Sequence, residues 1–171
     1  MWGEELRVYT KVQSSLRELW LTASASDDAT FLVYQDERFT FGEARAQVRR
    51  LAARLAAAGV GKGDRVAISM RNFPEWVIAF WAVQVLGAVV VSMNAWWTAT
   101  EAQYGLTDSG ATALITDGER YERIRGDVLD ALALALVVVT RAEAGVDPGH
   151  VEWADVMAAA DPGGRTASCP A

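Results

Sequence analysis

One cysteine and one histidine are all that this 171-residue chain offers to sulfur or imidazole chemistry. Cys169 has no partner for an internal disulfide, so cysteine usage gives no sign of an oxidising compartment. A metal site of the usual Cys/His kind cannot be assembled from Cys169 and His150 alone. Nucleophilic triads fail by inventory as well, since His150 stands in a Pro-Gly turn and no Gly-x-Ser-x-Gly elbow occurs. Long basic runs are missing. The formal net charge is −6, and the nearest approach to a basic patch, Arg45, Arg49, Arg50 and Arg54, lies at helical spacing and reads as a solvated helix face. No nucleic-acid partner is expected, because neutralising phosphates takes clustered Lys and Arg.

The opening residues, Met1-Trp2-Gly3-Glu4-Glu5-Leu6-Arg7, carry acidic groups and lack the apolar stretch of a secretory signal, so a cytoplasmic location is expected. Apolar character is most continuous from Trp76 to Met93. A membrane-spanning helix needs about 20 such residues. Here Gly87 divides the run into a helix-like half and a Val-rich half, Ala88 to Val91. A buried helix followed by a buried parallel strand accounts for both, and no transmembrane segment is expected.

What is present is a globular composition, 51% hydrophobic and 22% charged, long enough for one domain with its own core. An amphipathic helix is expected up to Trp20, with Val12, Leu16, Leu19 and Trp20 on one face. A polar stretch from Ser24 to Thr30 leads to a hairpin: Phe31 to Tyr34, a turn over Gln35 to Arg38, then Phe39 to Phe41. Thr40 and Glu43 form a capping box opening a helix that buries Ala44, Val48, Leu51, Ala52 and Leu55 and ends at Gly59. A strand over Arg65 to Met70 follows. Asn72 and Glu75 repeat the cap spacing before the helix Trp76–Leu86, with Pro74 tolerated in its first turn. Thr98 and Glu101 cap a helix to about Asp108, Ala113 to Ile115 is a strand, Thr116 and Glu119 open another helix, and Leu136 to Val139 is the last strand. Val151 to Ala160 reads as one short helix.

Strands alternating with helices of this length pair in parallel through right-handed crossovers. The fold class is therefore α/β, a mostly parallel sheet with helices on both faces. Its expected divisions are an N-terminal helix and linker (1–30), the α/β domain (31–140), and a short helix with a disordered tail (141–171).

Ligands of such sheets bind beyond the C-terminal strand ends. Three of those ends are named by the sequence. Met70-Arg71-Asn72 passes from a strand to a helix N-terminus, where Arg71 adds a charge or, more blandly, faces water while Asn72 caps. Ser92 to Trp97 brings two adjacent tryptophans into a loop, so that either one of them lines a groove or partner surface or both pack under the neighbouring helix. Thr116-Asp117-Gly118 is fully accounted for as a cap. Gly59-Val60-Gly61-Lys62-Gly63 imitates a phosphate loop in the wrong place, after a helix and before a strand, and reads as a helix end and turn.

The order of these segments resembles a known family. Phe39-Thr40-Phe41-Gly42-Glu43, Gly59 to Ile68, Arg71-Asn72-Phe73-Pro74-Glu75-Trp76, Gly87 to Val91, Asn94-Ala95-Trp96-Trp97 and Leu106 to Ala111 together resemble the N-terminal region of the adenylate-forming enzymes. That superfamily comprises acyl-CoA synthetases, luciferases and peptide-synthetase adenylation domains. The resemblance covers roughly residues 10 to 140 and is most like a bacterial fatty-acid-type CoA ligase. It implies a reaction in which a carboxylate attacks Mg-ATP to give an acyl-adenylate and pyrophosphate, after which CoA displaces AMP. ATP, Mg and CoA are thus implied for a full-length enzyme, with a small-molecule carboxylic acid as substrate. It also implies that Arg71, Asn94, Trp96 and Trp97 approach the acyl or CoA side of the cleft.

The family's Ser/Thr/Gly-rich phosphate loop with its lysine does not occur in this sequence, nor do its adenine, magnesium and ribose motifs, and Ser92 replaces a common proline. The reading is an N-terminal fragment of an acyl-CoA synthetase, inactive alone, whose partner is the remainder of the synthetase. An exposed apolar patch and self-association are expected of it. The rival is a freestanding, non-catalytic flavodoxin-like binding module, in which helix Trp76–Leu86 is fully covered. A nucleotide-binding oxidoreductase ranks third, for want of a Gly-rich fingerprint after the first parallel strand.

Overall fold

The computed structural model describes residues 12–23 and 26–163. The start of the expected first helix, part of the polar stretch after Trp20, and the expected tail from 164 onward with Cys169 lie outside the described residues. Helix α1 (Leu16–Thr22) begins after Ser15, whose hydroxyl accepts the Glu18 N–H. The expected apolar face is corrected. Val12 precedes the helix, and of Val12, Leu16, Leu19 and Trp20 only Trp20 is buried, stacked on Trp81 with ring centroids 4.8 Å apart. The serine sets the start because it satisfies a free N–H that no preceding turn can reach.

Strands β1 (Thr30–Tyr34) and β2 (Glu37–Thr40) form the hairpin, with Tyr34 opposite Glu37. Its turn is the pair Gln35-Asp36, shorter than the sequence suggested, and Gln35 takes a φ of 50°. Two-residue hairpin turns that match strand twist demand such positive values. Phe41 belongs not to the strand but to helix α2 (Phe41–Ala57). The Thr40–Glu43 capping box is present, and the helix buries Ala44, Val48, Leu51, Ala52 and Leu55, as its periodicity required.

The chain then alternates: β3 (Arg65–Ser69), α3 (Pro74–Val85), β4 (Val89–Ser92), α4 (Ala99–Ser109), β5 (Ala113–Asp117), α5 (Gly118–Ile124), α6 (Asp127–Asp130), β6 (Leu136–Thr140), β7 (Val151–Glu152) and α7 (Trp153–Ala158). Thr98 and Glu101 make the second capping box, and Gly110 closes α4 in the left-handed conformation.

Three local expectations are corrected. Asn72 does not cap α3; Phe73 holds that position without a side-chain bond, and the Glu75 carboxylate accepts instead from Thr140 and Arg141. Thr116 remains in β5, its hydroxyl donating to the Ser69 carbonyl, and Asp117 caps α5. Val151 and Glu152, expected as helix, extend the sheet before α7 starts, because their extended backbone pairs with Val138 and Val139.

The sheet has the order β4-β3-β5-β6-β7 and is parallel throughout. Alternation along each strand divides the core. Val66, Ile68, Ala113, Ile115 and Val138 pack with α2, α3 and α7, while Ala67, Leu114, Val137 and Val139 pack with α4, α5 and α6. The basic stretch of α2 is not simply solvated. Arg45 and Arg49 pair with Asp27 and Asp161, and Arg50 donates to the Ala159 carbonyl, so this face ties down both the loop after α1 and the chain after α7. Among the described residues no helix is long and apolar enough to cross a membrane.

Candidate functional site

Strand order reverses at β3: the chain moves from β3 to β4 on one side, then returns to place β5 on the other. In open parallel sheets the crossovers diverge at such a point and leave a crevice past the C-terminal strand ends. A cleft of about 520 Å³ opens there, lined among others by Arg71, Phe73, Asp117, Arg120, Arg141 and Glu143.

Asp117, the last residue of β5, is buried at 2% exposure and gathers three donors. One carboxylate oxygen accepts the Arg71 N–H at 2.9 Å, and the other accepts the Arg120 N–H at 2.9 Å as the cap of α5. The Arg120 Nη1 completes the set at 3.2 Å. Arg120 is itself only 3% exposed. Its Nε donates to the Ala95 carbonyl at 2.8 Å and its Nη1 to Glu119 at 2.8 Å, while its Nη2 is buried without a protein partner. Arg123, one turn on, donates to the Trp97 carbonyl at 2.7 Å.

The loop after β4 is therefore held by its own carbonyl oxygens. Within it the Asn94 Oδ1 accepts the Trp96 N–H at 2.9 Å, a side-chain turn typical of asparagine. The two tryptophans divide. Trp97 is half-buried against α4, where Gly105 makes room: a Cβ there would stand 2.6 Å from the Trp97 ring. Trp96 is 72% exposed and lies over the Arg120 guanidinium, 5.6 Å from centroid to Cζ.

On the far side of the cleft, Arg141 follows β6 with a φ of 52°. Its guanidinium bonds Glu75 and Glu37, each at 2.9 Å, and lies 4.6 Å from the Phe73 ring centroid. The hairpin, α3 and β6 are joined through this one side chain. Gly118 lets the β5–α5 turn press against it, since a Cβ would come within 2.6 Å of the Arg141 carbonyl. The loop that continues from Arg141 is fastened at its other end by Tyr121, whose oxygen accepts the Asp147 N–H at 2.9 Å and lies 2.8 Å from His150 Nδ1. Burial pushes the Tyr121 phenol above its usual range.

Of the residues named from sequence, Arg71 lines the cleft, and Asn94, Trp96 and Trp97 form the neighbouring loop tied to α5. Asp117 and Arg120, which connect them, were missed, because the sequence accounted for Thr116-Asp117-Gly118 as a helix cap alone, with Thr116 as the capping residue. An Asp-x-x-Arg spacing at a strand end was the available signal. Gly59 to Gly63 lies at the N-terminal end of β3, away from the cleft; there Gly63 donates to the Gly87 carbonyl and Asp64 accepts the Gly61 N–H. Among the described residues no group of three or more His, Cys, Asp or Glu is placed to hold a metal ion.

Comparison with known proteins adds a separate line. The model of the AMP-binding enzyme family matches residues 19–165. A methyl-dioxo-octahydroindenyl-propanoyl:CoA ligase of Mycobacterium tuberculosis is 41% identical over 132 residues, which are 77% of this chain and 26% of that protein. A long-chain-fatty-acid–CoA ligase of Bacillus subtilis is 36% identical over 98 residues, 56% of this chain and 18% of that protein. The crystal structure of a benzoate CoA ligase from Burkholderia xenovorans superposes with a TM-score of 0.73 at 23% identity, over 89% of this chain and 29% of that one, a likeness of fold. The chain thus spans about a quarter or less of the length of the curated relatives it matches.

Proposed function

The chain belongs to the AMP-binding enzyme family, and from that premise we propose that it is the N-terminal part of an ATP-dependent acyl-CoA synthetase, with the cleft beside β3 and β5 on its CoA side. The intact enzyme joins a small-molecule carboxylic acid to CoA at the expense of ATP, which becomes AMP and pyrophosphate. The observation that carries this reading is the convergence of three strand ends on Asp117 and Arg120 at the switch point of the sheet.

The residues present fit a phosphate-bearing thiol carrier. Arg120 lines the cleft with a buried donor left over, Arg71 adds an exposed cation, and Trp96 exposes an aromatic face at which an adenine ring can stack. The sequence has no glycine-rich loop between a strand and a helix to cradle the phosphates of ATP. On this reading adenylation falls to the remainder of the synthetase, and this chain alone is inactive.

One observation favours a second reading, a freestanding flavodoxin-like module: the parallel strands have the order 2-1-3-4-5 in sequence terms, with helices on both faces. Against it, Trp76, Phe80 and Trp81 of α3 are only half-buried, and Val89 on the edge strand is 49% exposed.

Isothermal titration of the 171-residue chain with CoA and with Mg-ATP, beside an ATP–pyrophosphate exchange assay, tests the proposal. Heat with CoA, none with Mg-ATP and no exchange are expected. Exchange by the chain alone overturns the assignment of adenylation to the remainder. Absence of CoA binding, with a monomer in sedimentation, favours the freestanding module.

A further inference from the structure

We infer that the buried Asp117–Arg120 pair is a positioning device, holding the Asn94–Trp97 loop and the Arg71 backbone in register across three strand ends, and that it adds little to stability. Its use rests on the assignment of the cleft to CoA.

The geometry separates this role from that of an ordinary salt bridge. Both side chains are almost fully buried, at 2% and 3% exposure, where the loss of hydration offsets most of the attraction between a carboxylate and a guanidinium. The pairing is also incomplete, since the Arg120 Nη2 finds no protein partner. A pair selected for stability would have all its donors satisfied, or would be apolar.

What the pair does have is reach. Each group bonds backbone atoms belonging to a different strand end. Asp117, on β5, takes the N–H of Arg71, the second residue beyond β3. Arg120, on α5, gives its Nε to the carbonyl of Ala95, the third residue beyond β4. β3 lies between β4 and β5 in the sheet, so the two bonds close a brace over it. The same Arg120 guanidinium lies against the Trp96 indole and thereby orients the exposed ring.

Backbone carbonyls carry no side-chain identity, and a loop held through them keeps its path while its side chains are free to meet a ligand. Asn94 uses its own side chain to make the local turn, and Arg123 holds the loop at a second point through the Trp97 carbonyl. Arg120 needs two separate donors, Nε for the loop and Nη1 for Asp117, in a fixed planar fork. A lysine has one ammonium and cannot span both.

The chain labelled with 5-fluorotryptophan, its Trp96 and Trp97 signals assigned by Trp96→Phe and Trp97→Phe, gives a fluorine NMR readout of the loop that is independent of any ligand. Three proteins are compared: wild type, Arg120→Lys, and the apolar double variant Asp117→Leu with Arg120→Met. The double variant also loses the Asp117 cap of α5 and the acceptor of the Arg71 N–H. It is expected to unfold cooperatively with a loss of stability no larger than that of a helix cap, while its Trp96 signal moves toward that of free fluorotryptophan. Arg120→Lys is expected to move the same signal, and both variants to weaken CoA binding at least tenfold. Unmoved Trp96 and Trp97 signals in Arg120→Lys overturn the inference, as does a double variant that loses cooperative unfolding. If wild type binds no CoA, the cleft assignment fails, and the fluorine signals alone still decide the brace.

Discussion

The two faces of the sheet are built differently. Under α2, α3 and α7 the core is continuous and apolar, with Leu51, Leu55, Ile78 and Val83 fully buried and Trp20, Trp81 and Phe80 packed ring against ring. Under α4 and α5 the apolar core is smaller, and α5 is joined to the strand ends by arginines bonded to carbonyl oxygens and to Asp117. The first face derives its order from area removed from water, which depends little on direction. The second depends on bonds with fixed lengths and angles. A sheet of this kind can be stable through one face and shaped for a ligand through the other.

Single substitutions break the comparison most sharply where a partner is orphaned. Arg120→Met by itself leaves Asp117 buried and unpaired, and is expected to cost about 3–5 kcal/mol in urea unfolding. On the other face Leu55→Ala removes a fully buried side chain and is expected to cost about 2–5 kcal/mol, with the Trp96 fluorine signal unmoved. If Leu55→Ala shifts that signal as much as Arg120→Met does, the two faces are one mechanical unit and the comparison fails.

These different constructions explain what could be read from the sequence. The α2 face was legible because its signals are local: Thr40 and Glu43 sit three apart, and the buried residues from Ala44 to Leu55 follow one helical stripe. Four of the five parallel strands were legible for the same reason; β7, two residues long, was read as helix. Where a distant group competes with a local signal, the distant group prevailed. Glu75 has capping spacing to Asn72, yet its carboxylate is taken by Arg141, 66 positions away. Arg120 looks like an exposed helix residue until the loop after β4 is laid across α5. No periodicity records that crossing. The candidates Arg71, Asn94, Trp96 and Trp97 were named from their place at strand ends and from the family resemblance, whereas the pair joining them required the fold.

Smaller perturbations sharpen the contrast. Thr40→Ala removes the α2 cap and is expected to cost about 1 kcal/mol, measured as a shift in urea midpoint, without effect on the cleft. The smallest effect is expected at Asp161, which fastens the chain after α7 to α2. The Arg49 guanidinium that bonds its carboxyl holds it down to about 2. With the folded value depressed, the stabilisation is present above the unfolded carboxyl's value, about 3.9, and is lost as pH falls through about 2. Urea midpoints of wild type and Asp161→Asn should therefore differ at about pH 5 and converge near about pH 2. A gap that persists in acid contradicts the pairing.

The most direct test of the account is the titration of the wild-type chain with CoA, read both as heat and as the Trp96 fluorine signal. The account predicts saturable binding that moves Trp96 and leaves the tryptophans of the α2–α3 face, Trp20 and Trp81, in place. Failure of CoA at about 1 mM, roughly the weakest affinity worth about 4 kcal/mol, to move Trp96 or release heat would contradict it.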